Sequence, residues 1–314
     1  MGIYICRRLA YIVVILFVMS ILVFGLTQIL PADVARMVAG QFASDDVVAA
    51  VRTRLGLDAP LHVQYWNWIS GVLSGDMGTS LVMDRPVNAL IGEALLRSSS
   101  LALVSIVLVA VFGIVLGVAA ALRHNGPLDH GVSIFTYVGI SAPEFFWGIV
   151  LILVFAGMLG WFPSGGYAPL ADGVGPWAAH IVLPAATLTF TLIAHVSRLT
   201  RSSMLETMQS NYVRFARAKG MSENIVVRRH ALRNALLPTI TILAIDVGWL
   251  MGGIVVVETV FSFHGIGRTL MFAIERRDLP LIQAGILVIA TIYTFANLAA
   301  DLLYAYFNPR IRYG

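Results

Sequence analysis

Long apolar stretches without charge alternate with polar segments throughout the sequence. A bilayer core about 30 Å thick needs roughly 20 apolar residues in helix, so uncharged stretches of that length are the candidate crossings. Residues 9–30 form the first and follow Arg7 and Arg8. A secretory leader has the same charged start, but this run is longer than a leader's apolar core and no small-x-small cleavage site follows closely, so it reads as a retained span. Residues 98–122 carry no charge, 131–162 only Glu144, 177–197 none if their histidines are neutral, 235–257 only Asp246, and 281–307 only Asp301. The pattern predicts an all-α polytopic membrane protein with six transmembrane helices, at 9–30, 98–122, 131–160, 177–197, 235–257 and 281–307.

Composition agrees: 58% of residues are hydrophobic and only 12% charged, about half the charged fraction of a soluble domain. Six spans put both ends on one side, and the basic residues choose the side. With the termini cytoplasmic, the inner segments are 1–8, 123–130, 198–234 and 308–314, and the outer ones 31–97, 161–176 and 258–280. The inner segments then hold thirteen bases and three acids, against eight bases and eleven acids in the longer outer segments. The net positive charge therefore follows from topology, and no nucleic-acid partner is needed to account for it. Only one of the 21 bases is a lysine, Lys219, and Gly220 follows it. A phosphate-binding P-loop needs lysine followed by serine or threonine, so the chain has none. A single cysteine, Cys6, excludes an internal disulfide and a thiolate metal cluster.

Two connections are long. In the outer segment 31–97, the apolar stretch 61–73 contains Trp66 and Trp68. It is too short to span and predicts either a surface helix or an interfacial one. In the inner connection 198–238, Gly220 is a good left-handed stop after Lys219, with φ expected to be positive, and Ser222 offers an N-cap with Glu223 in the first turn. A basic helix-turn-helix is expected there.

Candidate chemistry is sparse. Ser141 and His195 superficially offer a nucleophile and base inside the membrane, but Ala142 stands where six-span serine proteases need glycine. The histidines, scattered from His62 to His264, lack ligand spacing. No catalytic, cofactor-binding or metal residue is expected, and the chain is read as no enzyme. Carboxylates inside spans are costly, at about 2.5–3.5 kcal/mol on insertion scales, so each needs a partner or water. Glu144 follows Pro143, which kinks its helix, and Asp246 lies near the middle of the fifth span; these two are the candidates for a hydrated pathway. Interhelical hydrogen bonding or protonation is the other reading, and for Asp301 snorkelling to the interface. Pro184 is expected to interrupt the fourth span. Gly265-Ile266-Gly267 lacks a preceding strand and a third glycine, so a tight outer turn is expected instead of a dinucleotide site.

The inner loop also resembles a known family. Tyr212-Val213-Arg214, Ala216-Arg217-Ala218-Lys219-Gly220 and the run from Arg229 to Pro238 resemble the cytoplasmic loop of ABC-importer permeases of the dipeptide and oligopeptide branch. Against the wider importer consensus, Ala216, Gly220 and Leu232 match, while Arg214, Phe215, His230 and Arg233 depart from it as this branch does. Leu55-Gly56-Leu57-Asp58, Gly75-Asp76-Met77-Gly78, Gly265 to Arg268, Arg277-Asp278 and the tail Asn308 to Tyr313 are similar to that branch too, with His264 and Leu279 replacing its usual proline and tyrosine.

The resemblance implies a type I ABC importer permease fold in a prokaryotic inner membrane. It implies a homologous permease as partner in a heterodimer, two cytoplasmic ATPases that bind ATP and Mg²⁺, and an extracytoplasmic binding protein, with no cofactor in this chain. It further implies that Tyr212, Val213, Arg214, Phe215, Ala216, Arg217, Ala218, Lys219 and Gly220 form the coupling helix that meets the ATPase. Di- and oligopeptides are the implied substrates; nickel, glutathione and oligosaccharide importers share the scaffold, and a stand-alone secondary transporter is the competing class.

Overall fold

The computed structural model describes residues 2–29, 34–40, 42–54 and 56–307. Leu30, Pro31, Leu55 and the tail motif from Asn308 to Tyr313 lie outside the described residues. Among the described residues the regular structure is helical throughout. The order is α1 (Gly2–Ile29), α2 (Val34–Ala39), α3 (Asp45–Arg54), α4 (Leu61–Leu73), α5 (Val87–Leu122), α6 (Pro127–Ser141), α7 (Glu144–Leu151), α8 (Val174–Met208), α9 (Asn211–Ala218), α10 (Glu223–Ile225), α11 (Leu232–Val260), α12 (Ile266–Arg276) and α13 (Leu279–Phe307). A π-helical turn at Ile152–Met158 extends α7, and another at Val226–Ala231 joins α10 to α11.

Among the described residues, five helical stretches are long and apolar enough to cross a membrane, in α1, α5, α8, the run Glu223–Leu250 and α13, and α6 with α7 makes a sixth if the bent pair is one span. That pair turns by 107° at its break. The cause is local: Pro143 disfavours helix at the residue before it, and Ala142 and Pro143 are both extended. Pro184, by contrast, lies inside α8 without ending it, so the expected interruption is only a missing amide donor. Helices also outrun the uncharged stretches. α5 begins at Val87 and α8 reaches Met208, because charge marks where hydrocarbon ends and a helical backbone continues into water.

The chain divides into two compact units, Met1–Arg97 with Gly265–Thr294, and Ser98–His264 with Phe295–Gly314. In the first unit, Val87, Leu90, Ile91 and Ala94 form a core with Ile266, Ala273, Leu281 and Ile282. The buried Asp278 carboxylate accepts from Ser80 Oγ at 2.5 Å and from the Leu81 amide at 3.2 Å. Gln283 Nε2 donates to Thr27 Oγ1 at 2.7 Å, tying α13 to α1. The stretch expected as a tight turn at Gly265-Ile266-Gly267 instead opens α12, with Gly265 as N-cap. Ile266, Leu270 and Ala273 recur at helical spacing, which makes α12 amphipathic.

In the second unit α8 is the central helix. Leu188, Leu192 and Val196 pack with Leu250, Ile254 and Val257 of α11 in one core. Gly113 and Gly117 of α5 form a GxxxG face against α8. A Cβ at Gly113 would lie 2.6 Å from Val196 Cγ1, and one at Gly117 2.6 Å from the Ser197 carbonyl oxygen. The backbones meet at the closest approach glycine permits.

Candidate functional site

The inner loop folds as a helix with its own small core. Val213 and Ala216 of α9 are buried with Ala121 of α5, Met204 of α8, Val226 and Ala231 of the π turn, and Ala235 of α11. Every other residue from Tyr212 to Gly220 is exposed. Phe215 is 68% exposed, and Tyr212, Met221 and Ile225 extend the apolar surface around it. The nine residues named from sequence thus divide: two hold α9 down and the rest look outward.

Gly220 ends α9 with φ +77°, the left-handed value expected of it. Its amide donates to the Arg217 carbonyl at 2.9 Å and the Met221 amide to the Ala216 carbonyl at 3.4 Å, the pairing of a Schellman motif. Ser222 precedes α10 as expected, but its hydroxyl makes no cap hydrogen bond. Glu223 instead pairs across the turn with Arg217, accepting from Nη2 at 2.6 Å and Nε at 3.0 Å. That bidentate contact raises the Arg217 pKa above its ordinary value and clamps the loop on the far side of Gly220. Tyr212 Oη accepts from Asn234 Nδ2 of α11 at 3.0 Å.

A buried ion pair lies where α6 begins. Asp129 accepts from Arg201 Nε at 2.5 Å and Nη2 at 2.8 Å, and from the Asn125 amide at 2.9 Å. Its side chain is 2% exposed. Sequence reading missed this pair, because the two residues are far apart in the chain and neither lies in an uncharged stretch.

The candidate pathway acids sit in different settings. Glu144 begins α7, half-buried, and its carboxylate lies over Gly253 of α11: a Cβ there would be 2.5 Å from Oε2. Asp246 is buried two helical turns away on α11, with His195 Nδ1 3.7 Å from Oδ1 and, among the described residues, no hydrogen-bond partner for Oδ2. Residues 246 and 253 are seven apart and so share a helix face. Asp301 is half-buried in α13. Glu258, counted among outer-loop acids from sequence, lies inside α11 fully buried and accepts a hydrogen bond from Ser98 Oγ of α5.

The superficial nucleophile and base are not assembled. Ser141 Oγ donates to the Val138 carbonyl of its own helix at 2.7 Å, and the nearest ionisable neighbour of His195 is Asp246. Among the described residues no group of three potential metal ligands occurs.

Two family descriptions match the chain: the binding-protein-dependent transport system inner membrane component over residues 113–313, and the N-terminal part of such membrane components over residues 1–89. A probable peptide ABC transporter permease of Sinorhizobium fredii is 40% identical, covering 100% of both chains. A glutathione transport system permease of Salmonella choleraesuis is 41% identical and covers 99% of each. A putative peptide transport system permease of Brucella abortus is 38% identical over 98% of each. Among solved structures, a chain of the MetNI methionine ABC transporter in inward-facing conformations aligns with a TM-score of 0.56 at 18% identity, covering 70% of this chain and 96% of that one. That likeness concerns the fold, the type I importer permease arrangement.

Proposed function

Since this chain belongs to the binding-protein-dependent transport system inner membrane components, we propose that it is the permease subunit of an ATP-driven importer for di- and oligopeptides. It forms half of the translocation pathway beside a homologous permease, with both termini cytoplasmic. Two ABC ATPases bind the ATP and Mg²⁺, and an extracytoplasmic binding protein delivers the substrate. The chain itself is not catalytic.

The observation that carries the coupling role is α9 standing on its own core with its other side presented to solvent. Tyr212, Arg214, Phe215 and Lys219 provide the contact with the ATPase. Val213 and Ala216 transmit force, because their neighbours Ala121, Met204 and Ala235 belong to α5, α8 and α11. A push on α9 therefore reaches the ends of three spans through close-packed side chains, which deform little. Closure of the ATPases then rocks the permease between its two access states. Glu144 and Asp246 border the pathway that opens.

Peptide is favoured over other cargo by the names of relatives, which include peptide permeases and a glutathione permease of similar identity. Glutathione is itself a modified tripeptide, so both readings share carboxylate and ammonium chemistry. Mass spectrometry of the ligand carried by the co-purified binding protein decides between them. Uptake that survives ATP depletion and needs no partner would instead identify a secondary transporter and overturn the assignment.

A further inference from the structure

We propose that Glu144 is the receptor in the pathway for the substrate's N-terminal ammonium, which rests on the reading of the chain as a carrier of peptides. The carboxylate stands where a span is broken. Ala142 and Pro143 are extended between α6 and α7, near the middle of the stretch 131–160, and Ser141 and Pro143 are exposed there. Irregular backbone at membrane depth is tolerated only where protein buries it or water reaches it, so this break does not face lipid. Glu144 decides between the other two. A carboxylate sealed against another subunit needs a basic residue opposite, and membrane spans hold few of them; the six spans expected of this chain contain no lysine or arginine, and a homologous partner built on the same pattern offers none. The break therefore borders water, the setting in which discontinuous helices form transport sites.

Among the described residues no hydrogen bond or ion pair reaches the Glu144 carboxylate. Both of its oxygens lie over Gly253, 2.5 and 3.2 Å from where a Cβ would stand, and the adjoining Gly252 is exposed with nothing within 4 Å of its own Cβ position. The charge is thus held beside a part of α11 that carries no side chain, where a ligand's backbone can approach closely. Trp147, three residues on, shares the same face of α7, and its ring packs on Phe190 at a centroid distance of 4.8 Å. The fixed charges of the expected spans are Glu144, Asp246 and Asp301, and negative groups along a path favour a cation. A metal ion would need several oxygens, whereas an ammonium is satisfied by one carboxylate and tolerates an aromatic neighbour. Asp246 is less suited to the role, being buried among Ile106, Leu192 and Leu250 with His195 3.7 Å from one oxygen.

The test uses the complete assembly in proteoliposomes, with ATP and with binding protein saturated by alanyl-phenylalanine or by lactoyl-phenylalanine, in which a hydroxyl replaces the amine. Wild-type uptake of the amine should exceed that of the hydroxyl compound at least tenfold. Glu144→Gln should lower uptake of the amine about fivefold and leave the hydroxyl compound unchanged, while Glu144→Asp keeps the preference. Equal losses for both compounds in Glu144→Gln, or no preference in the wild type, would overturn the proposal, and uptake that still requires ATP and the binding protein would leave the peptide reading standing. Absence of ATP-dependent uptake of alanyl-phenylalanine would overturn both. A second measurement does not need the hydroxyl compound: a tripeptide with a diazirine-bearing leucine as its first residue, irradiated during turnover, should label residues 141–148 and 249–256 at least threefold more than one bearing it last. Glu144→Gln should abolish that difference, and equal labelling by the two tripeptides in the wild type would reject the assignment.

Discussion

The Glu144 carboxylate rests on Gly253, so close that a methyl group at residue 253 would lie 2.5 Å from Oε2. Gly253→Ala therefore displaces the carboxylate without changing its chemistry. With Glu144 on the pathway, Gly253→Ala lowers uptake about fivefold, the effect of about 1 kcal/mol. Glu144→Gln gives a similar loss, and the double variant is no worse than either single one, because both act through one contact. Uptake assays on the three proteins check this; losses that multiply would separate the two residues.

Asp246 permits a cleaner split between stability and transport. Its Oδ2 is buried with no hydrogen-bond partner among the described residues, and a carboxylate in an apolar span whose neighbour is His195, 3.7 Å from Oδ1, is costly. Asp246→Asn should leave the melting temperature in detergent equal or higher while uptake or substrate preference changes. Unchanged uptake and preference would remove Asp246 from the pathway.

The surface of α9 proposed to meet the ATPase makes opposite demands of neighbouring residues. Phe215→Ala removes an exposed ring and should leave thermal stability unchanged, yet weaken ATPase docking. Truncating an aromatic anchor typically costs about 2 kcal/mol, close to 30-fold in affinity. Val213→Asp places a charge in the buried base of α9 and should destabilise the loop itself. Gly220→Val, at φ +77°, strains the turn and should uncouple ATP hydrolysis from uptake while membrane insertion is normal. Substrate-stimulated hydrolysis and uptake measured on each variant give the comparison, and normal coupling in both Phe215→Ala and Gly220→Val would reject the assignment.

Helix glycines of the second unit should rank by what opposes them. Gly117→Ala meets the Ser197 backbone oxygen, which cannot turn aside, whereas Gly131 of α6 has nothing within 4 Å. Overpacking costs about 1–3 kcal/mol, and alanine in an open helical position gains up to about 1 kcal/mol over glycine. Thermal unfolding in detergent should therefore show a lower midpoint for Gly117→Ala and an equal or higher one for Gly131→Ala.

Asp129 and Arg201 carry the clearest stability prediction. Removing one member of a buried pair leaves the other charge uncompensated, at about 3–5 kcal/mol. Arg201 is 26% exposed on its side chain, so Asp129→Asn should fall near the lower end. The same thermal assay measures it, and a wild-type midpoint would show that solvent already screens the pair.

What the sequence displays and what it hides follow from the range of each interaction. Uncharged runs locate the spans because burial in hydrocarbon acts residue by residue, and Gly220 announces its turn because a positive φ is a local cost. The break at Pro143 is legible for the same reason. Ser222 is legible as the N-cap of α10 with Glu223 in its first turn; that the hydroxyl makes no cap bond while Glu223 pairs with Arg217 is not. Asp129 with Arg201, Ser80 with Asp278, and Ser98 with Glu258 are invisible in sequence because a polar residue advertises its need for a partner but not the partner's address. The glycines of the GxxxG face likewise show that something approaches closely, without saying that it is Ser197.

The small core beneath α9 has a consequence for a cell that holds several transporters of this kind. Since Val213 and Ala216 form the buried base of the helix, and Tyr212 and Arg217 bond to its neighbours, the outward residues Arg214, Phe215 and Lys219 can be exchanged for others with little effect on the fold. With α9 as the proposed ATPase contact, each permease can carry its own key for its own motor at a surface where change is tolerated.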